Sequence, residues 1–366
     1  MRMRHSLLSA LSLFVMVPGA EDQAIATVAD SVFESVRNYG RGRTFVAAYD
    51  SDEAIKMNPA TLAEGDVTFQ LRWAELDLFY SPRGIGEASA LSGVSLEDGD
   101  DIDDARQAFK GTRPSGRGQL SLFSMRFGFV EVSPFAVGDG FGDLRNPAIP
   151  DVSIEGDMLA GLNIGMGLAM SKEFSVGITA RPFYRWYIGG EYGLVDILED
   201  TDFSDSDFLV SAGGLGIDLG LIWNPGKTFR LGLVVQNLGD TGYFQQWDAR
   251  PPPIPQRISA GLLWRLPMFG GDLDYLLDVQ GILNREGVNL LRIVHTGVEL
   301  GWSVFSRDHD FGVTAGLNEG YAGGGFFVDA FVARLDFAAY GVEMGQYPGQ
   351  RPDRRMAFSL RSSMTF

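Results

Sequence analysis

Polar and apolar residues alternate strictly along most of this chain. In 228–235, Phe229, Leu231, Leu233 and Val235 face one way, while Thr228, Arg230 and Gly232 face the other. In 258–265, Ile258, Ala260, Leu262 and Trp264 oppose Ser259, Gly261 and Arg265. In 295–303, Val298, Leu300 and Trp302 oppose His295, Gly297, Glu299, Gly301 and Ser303. A period of two with one apolar face is a β-strand between an oily and a polar environment. The last residues repeat it: Met356, Phe358, Leu360, Met364 and Phe366 share one parity. Soluble domains rarely end in an apolar strand, whereas a membrane barrel closes its last strand on its first.

The alternation predicts strands at about 66–80, 118–126, 128–136, 157–170, 173–188, 207–223, 228–237, 256–266, 272–283, 292–304, 309–318, 323–333, 335–344 and 354–366. Fourteen is an even number, so the last strand lies antiparallel beside the first. The connections alternate in length. Long ones at 81–117, 137–156, 189–206, 238–255, 284–291 and 345–352 are separated by short ones such as Ser171-Lys172 and Asn224-Pro225-Gly226-Lys227. Only Asn318 to Tyr321 is an external link of turn length. Long outer loops and tight inner turns are the rule of outer-membrane barrels. The predicted fold is therefore all-β: a 14-stranded antiparallel transmembrane β-barrel over 66–366. Trp223, Trp264, Trp302 and Phe366 fall on the apolar parity at or near the ends of descending strands, and are expected to form a periplasmic aromatic girdle.

Residues 21–65 break the alternation. Val28, Val32, Phe33 and Val36 have helical spacing, and Gly40-Arg41-Gly42-Arg43 follows as a breaker. This segment is expected to be a plug, or hatch, inside the lumen. Ahead of it, Arg2, Arg4 and His5 precede an apolar stretch from Leu7 to Val17 and then Pro18-Gly19-Ala20, the pattern of a signal peptide over 1–20.

Composition narrows the function. There are no cysteines, so disulfides and thiolate metal sites are excluded, and the net charge of −17 argues against nucleic acid as partner. Nothing indicates a catalytic triad, a metal site or a cofactor. The chain lacks Gly-x-Ser-x-Gly, and Gly138 to Gly142 has no strand-to-helix context. A non-enzyme is expected. Outer-membrane lipid, lipopolysaccharide and the barrel-assembly machinery are the expected partners, with the acidic stretch Glu97 to Asp104 read as a solvated external loop. Candidate lumen residues are Arg230, Arg265, His295, Glu299, Arg334 and Asp336, with pairing and plug anchoring their expected roles. Pro134 and, less clearly, Pro182 interrupt predicted strands, since proline cannot donate to the ladder.

The stretch Phe45 to Ala63 resembles the N-terminal region of the FadL superfamily, in which an acidic pair and an Asn-Pro-Ala-Gly-Leu-Ala run precede the first strand. Asp50, Asp52, Ala54, Asn58, Pro59, Ala60, Leu62 and Ala63 match; Thr61 replaces the usual glycine and Met57 an aromatic. The second half, in Arg230 to Gly239, Gly297 to Gly301, Ala315 to Tyr321, Asp336 to Tyr340 and Asp353 to Arg355, is similar to a PorV-like branch. The resemblance implies a fourteen-stranded barrel with an N-terminal hatch in the outer membrane of a Gram-negative-type bacterium. It further implies passive transport of hydrophobic, fatty-acid-like molecules, with Pro134 at a kink in the third strand as a lateral gate. The alternative it implies is a docking barrel in a secretion or surface-assembly system.

Overall fold

A computed structural model describes residues 31–65, 67–82, 115–145, 151–193, 209–244, 250–283, 287, 289–303, 310–330, 332–344, 348–350 and 352–366. The segments read as signal peptide and acidic first loop lie outside these. Fourteen long strands close into one antiparallel barrel: β1 (Phe69–Tyr80), β2 (Ser115–Phe127), β3 (Val130–Arg145), β4 (Asp151–Ala169), β5 (Phe174–Gly193), β6 (Leu209–Trp223) and β7 (Phe229–Gln236), then, after a two-residue segment β8 (Gly242–Tyr243), β9 (Arg257–Met268), β10 (Gly271–Val279), β11 (Val294–Trp302), β12 (Phe311–Asn318), β13 (Tyr321–Ala330), β14 (Ala333–Glu343) and β15 (Pro352–Thr365). Each pairs with its neighbours in the chain, and β15 closes on β1, with Leu76 opposite Leu360 and Glu75 opposite Arg361. The short segment β8 is not part of the ring; it adds to the outer end of β6, at Gly214 and Leu215.

Burial is inverted relative to a soluble domain. Leu76, Leu78, Leu120, Leu122, Ile164, Met166, Leu168, Phe326, Val328, Phe358 and Leu360 are exposed, while Arg72, Glu75, Arg126, Glu131, Arg230, Glu299 and Arg361 are buried. The apolar parity faces out because the surrounding solvent is lipid; closure satisfies every ladder hydrogen bond without water. The protein is therefore an outer-membrane β-barrel, which places it in the outer membrane of a Gram-negative-type cell. Among the described residues no helix is long and apolar enough to cross a membrane.

All fourteen predicted strands exist, with two kinds of difference. The strands β3, β4 and β5 continue beyond the expected 128–136, 157–170 and 173–188, reaching 16, 19 and 20 residues. Glycines and acids in those extensions mask the alternation, because above the bilayer neither face needs to be apolar. In contrast β12 has only 8 residues and turns at once through Glu319-Gly320, both at positive φ. The wall is tall on the β3–β5 side and low around β12.

Residues 31–65 lie within the barrel. The helix α1 (Val36–Gly40) is capped by Ser35, whose hydroxyl accepts from the Asn38 amide, and a 3-10 turn (Pro59–Ala63) is capped by Asn58. The expected helical spacing survives as this one short helix. Glycine then ends it, and the rest of the segment is irregular chain moulded to the wall.

Candidate functional site

The plug rests in a track of glycines. A methyl group at Gly177 of β5 would overlap the Pro59 carbonyl, one at Gly220 of β6 would overlap the Asn58 amide, and one at Gly167 of β4 would overlap Ala63. The track continues with Gly232 of β7 beneath Val46, Gly297 of β11 beneath Arg41 and Gly316 of β12 beneath Gly42. Backbone meets backbone over half the circumference. Asn58 fixes the turn: its side-chain oxygen accepts from the Ala60 amide at 3.2 Å, and its amide donates to the Val46 carbonyl at 2.7 Å. Pro59 and Ala60 are thereby pressed against β5 and β6. On β10, the Asp278 carboxylate accepts from the Phe45 and Val46 amides, at 2.7 and 3.0 Å.

Ion pairs add a second set of anchors. Asp50 is paired with Arg37 (2.8 Å) and Arg41, and both arginines also reach Glu299 of β11, Arg41 at 3.0 Å. Asp52 accepts from Gln70 of β1 at 3.0 Å. Glu53 and Lys56 grip the closing seam itself: Arg361 of β15 donates to Glu53 at 2.8 Å and to Glu75 of β1 at 2.9 Å, and Lys56 donates to the other Glu75 oxygen at 2.7 Å. Burial alone would raise the Asp52 carboxyl, but Arg361 and Arg72 outweigh it and bring it down to about 2. For Asp50, burial is likewise overcome by Arg37 and Arg41, and the group is lowered.

Of the residues expected in the lumen, Arg230 pairs with Glu64 at 2.5 Å and Arg265 with Asp274 at 2.6 Å. The two guanidiniums lie over Tyr49, 4.3 and 4.2 Å from its ring centre. Arg334 is forked onto Asp336 on its own strand at 3.0 Å and stacks on Phe327. His295 is fully buried opposite Asp278, while Glu299, four residues along β11, is engaged by the plug arginines. No histidine–carboxylate pair forms between them. His309 lies outside the described residues. With Arg37, Arg41, Asp50, Asp52 and Glu53, several of these groups line a charged chamber of about 530 Å³ beneath the plug. Among the described residues no cluster of histidine and carboxylate ligands could hold a metal.

Above the plug the lumen is apolar in part. Val32, Phe33 and Met57 pack with Phe135, Val137, Leu159 and Phe183 of β3–β5 and with Ile254. The loop carrying Ile254 folds inward, held by Arg185, which is forked onto Asp157 (2.6 and 2.8 Å) and donates to the Pro252 carbonyl at 2.6 Å. Sequence pattern identified neither this inward loop nor the plug residues Arg37, Arg41, Glu53 and Lys56. The proline run 251–253 read only as a stiff spacer.

Pro134 lies within β3, paired with Leu162 of β4, with eleven further strand residues beyond it. On its other side the β2–β3 register shifts between Ser121 and Met125, and Phe123 takes φ of 52°. Three β2 residues face two of β3, a bulge beside the residue that cannot donate. On the lumen side, Ser124 and Ser133 join at 2.7 Å across the fault. A second interruption flanks Pro182, where the β4–β5 pairing skips from Gly161–Phe183 to Ile164–Ala180. At the periplasmic end, Trp223 and Trp264 are exposed, Trp302 stacks on Phe311 with ring centres 5.3 Å apart, and Phe366 stacks on Phe69 at 5.8 Å.

Comparison with known proteins adds the following. A family model described as "F plasmid transfer operon, TraF, protein" matches residues 67–241. No curated protein matches the chain. Among solved structures, the TodX monoaromatic hydrocarbon channel (a deltaS2 mutant) superposes with a TM-score of 0.57 at 11% identity, over 91% of this chain and 99% of that one. The toluene transporter TbuX of Ralstonia pickettii gives 0.52 at 11% identity, over 91% and 98%. The toluene transporter TodX of P. putida gives 0.52 at 12%, over 90% and 97%. What is shared at these identities is the fold, end to end. It is a closed fourteen-stranded antiparallel barrel, as the FadL resemblance implied.

Proposed function

We propose that the protein is a passive outer-membrane channel that takes a small hydrophobic molecule from outside and releases it through the wall. The observation that carries this reading is the division of the lumen. The plug closes the axial route onto a chamber lined by ionised side chains, where an apolar solute would be exposed to charge and water. The apolar cluster of Phe33, Phe135, Leu159 and Phe183 leads instead along β3–β5, to the strands whose ladders are interrupted at Pro134 and Pro182. Lipid lies on the far side of those interruptions. The solved barrels with the same fold include a monoaromatic hydrocarbon channel and a toluene transporter, which supports the solute class.

The test is uptake of a radiolabelled monoaromatic hydrocarbon by cells or proteoliposomes carrying the protein. Pro134→Val restores a ladder donor and is expected to slow uptake severalfold, while the heat-modifiable barrel band stays unchanged. Uptake indistinguishable from empty vesicles in the native protein would overturn the channel reading. A docking barrel is the second reading, favoured by the family model named for a plasmid transfer operon and by the tall β3–β5 wall. It predicts a co-purifying protein in place of transport.

A further inference from the structure

On the outer side of the plug, a cavity of about 90 Å³ opens among β1, β2, β3, β14 and the plug. One side of it is aromatic. Tyr39 of α1 stacks on Tyr340 of β14 with ring centres 3.9 Å apart, and meets Phe79 of β1 edge-on at 5.8 Å. The other side is polar: Arg117 of β2 faces Asp139 of β3 at 3.3 Å, Arg43 pairs with Glu34 at 2.9 Å, and Ser115 borders the space. All of these residues line one cavity, and the sequence pattern assigned none of them a binding role.

We infer that this cavity is a binding site for an uncharged single-ring aromatic compound bearing a hydroxyl group, a phenol. The inference rests on the channel reading and narrows its solute. Size comes first: a closed cavity of about 150 Å³ holds benzene, so a smaller, mouth-open site of about 90 Å³ has room for one ring at most and not for a coiled acyl chain. Shape follows, since Tyr39, Tyr340 and Phe79, already packed on one another, give the cavity a rigid aromatic wall. The polar side then discriminates. A bare hydrocarbon would strip water from Arg117 and Asp139 and return nothing, whereas a hydroxyl both donates to a carboxylate and accepts from a guanidinium. Charge excludes a carboxylate ligand. Four arginines line the cavity and four carboxylates accompany them, so an anion would add an unmatched charge to a set already in balance. Tyr39 itself stays neutral, because burial holds its phenol well above the ordinary range.

The experiment measures binding of phenol, toluene and benzoate to the detergent-purified full-length protein by calorimetry at pH 7, with uptake of each into proteoliposomes in parallel. Phenol is expected to bind roughly tenfold or more tightly than toluene, and benzoate more weakly than either. Asp139→Asn with Ser115→Ala should erase the advantage of phenol over toluene. Tyr340→Phe, which keeps the ring, should preserve it. Heat-modifiability on gels shows whether each variant is folded, and Tyr340→Phe serves as the folded reference if the double variant is not. Toluene bound and transported at least as well as phenol would overturn this inference while leaving the channel standing. Benzoate preferred over phenol would also overturn it. Failure of all three to bind and cross would bring down both.

Discussion

The two sides of the barrel hold the same plug with different mixtures of contact. From β4 to β12, glycine packing is joined by charged anchors at Arg230, Asp278 and Glu299, whereas the β1–β15 seam uses charge without a glycine track. From β4 through β7 and on to β12, the plug backbone lies in a glycine track, and van der Waals overlap would follow from any side chain placed beneath it. At β1 and β15, the plug is held by charged side chains: Lys56 against Glu75, Glu53 against Arg361, and the Asp52 carbonyl accepting from Arg72. The glycine track fixes position through shape, which has no partial state. The charged seam can exchange partners, since each arginine already serves more than one carboxylate. The interrupted ladder at Pro134 lies on this second side, next to Glu131, which Arg72 contacts at 3.2 Å.

The largest test of this contrast is a side chain in the track. Gly177→Val or Gly220→Leu leaves no room for Asn58 and Pro59, and neither neighbour is a flexible tip. We expect loss of the folded band on heat-modifiability gels, beyond the ~1–3 kcal/mol typical of overpacking, because backbone would have to move. A normal band with a normally protected plug would show that the seat is not fixed. Next in size is the lipid face. Leu300→Arg should cost ~2–4 kcal/mol in urea unfolding from vesicles, but Trp302→Arg two residues nearer the periplasm only ~0–1 kcal/mol. Equal costs would remove Trp302 from the interface.

Asn58→Ala comes third. It removes the cap of the Pro59–Ala63 turn and the bond to Val46, and should lower stability by ~0.5–2 kcal/mol without blocking assembly. The smallest effect concerns the charged side. Asp52 is held down to about 2, below the ~3.9 of a free carboxylate. A depressed acid contributes stability that is fully present above its unfolded value and is lost as pH falls through its folded value. Protection of residues 31–65 from hydrogen exchange should therefore be flat from pH 7 to about 4 and decline between about 4 and 2. A decline already at pH 6 would mean that the tether is not Asp52 and Asp50.

The strand number was legible because it is written in the period-two code that lipid enforces on every strand. The plug was legible as a place where that code stops, and Asn58-Pro59 as a turn with its own chemistry. Its anchors were not. Arg37, Arg41, Glu53 and Lys56 meet wall residues from 19 to more than 300 positions away, and no periodicity encodes such pairs. Nor did pattern distinguish Gly177 or Gly220 from the other glycines of a glycine-rich barrel; only the plug lying over them does. The lumen charges Arg230, Arg265, Arg334 and Asp336 were found by parity, but their partners Glu64 and Asp274 appear only in three dimensions.

The uneven wall has a consequence for how the outer surface meets its surroundings. With β5 at 20 residues and β12 at 8, and with roughly 2.5 Å of height per tilted residue, the rim drops by roughly 30 Å from one side to the other. The mouth is cut like a quill. Its low lip lies at the Glu319-Gly320 turn, and its high back is formed by the long ends of β3–β5. On the proposed channel reading, a molecule partitioned into the outer leaflet would meet the opening from its low side, and one dissolved in water would be caught against the standing wall.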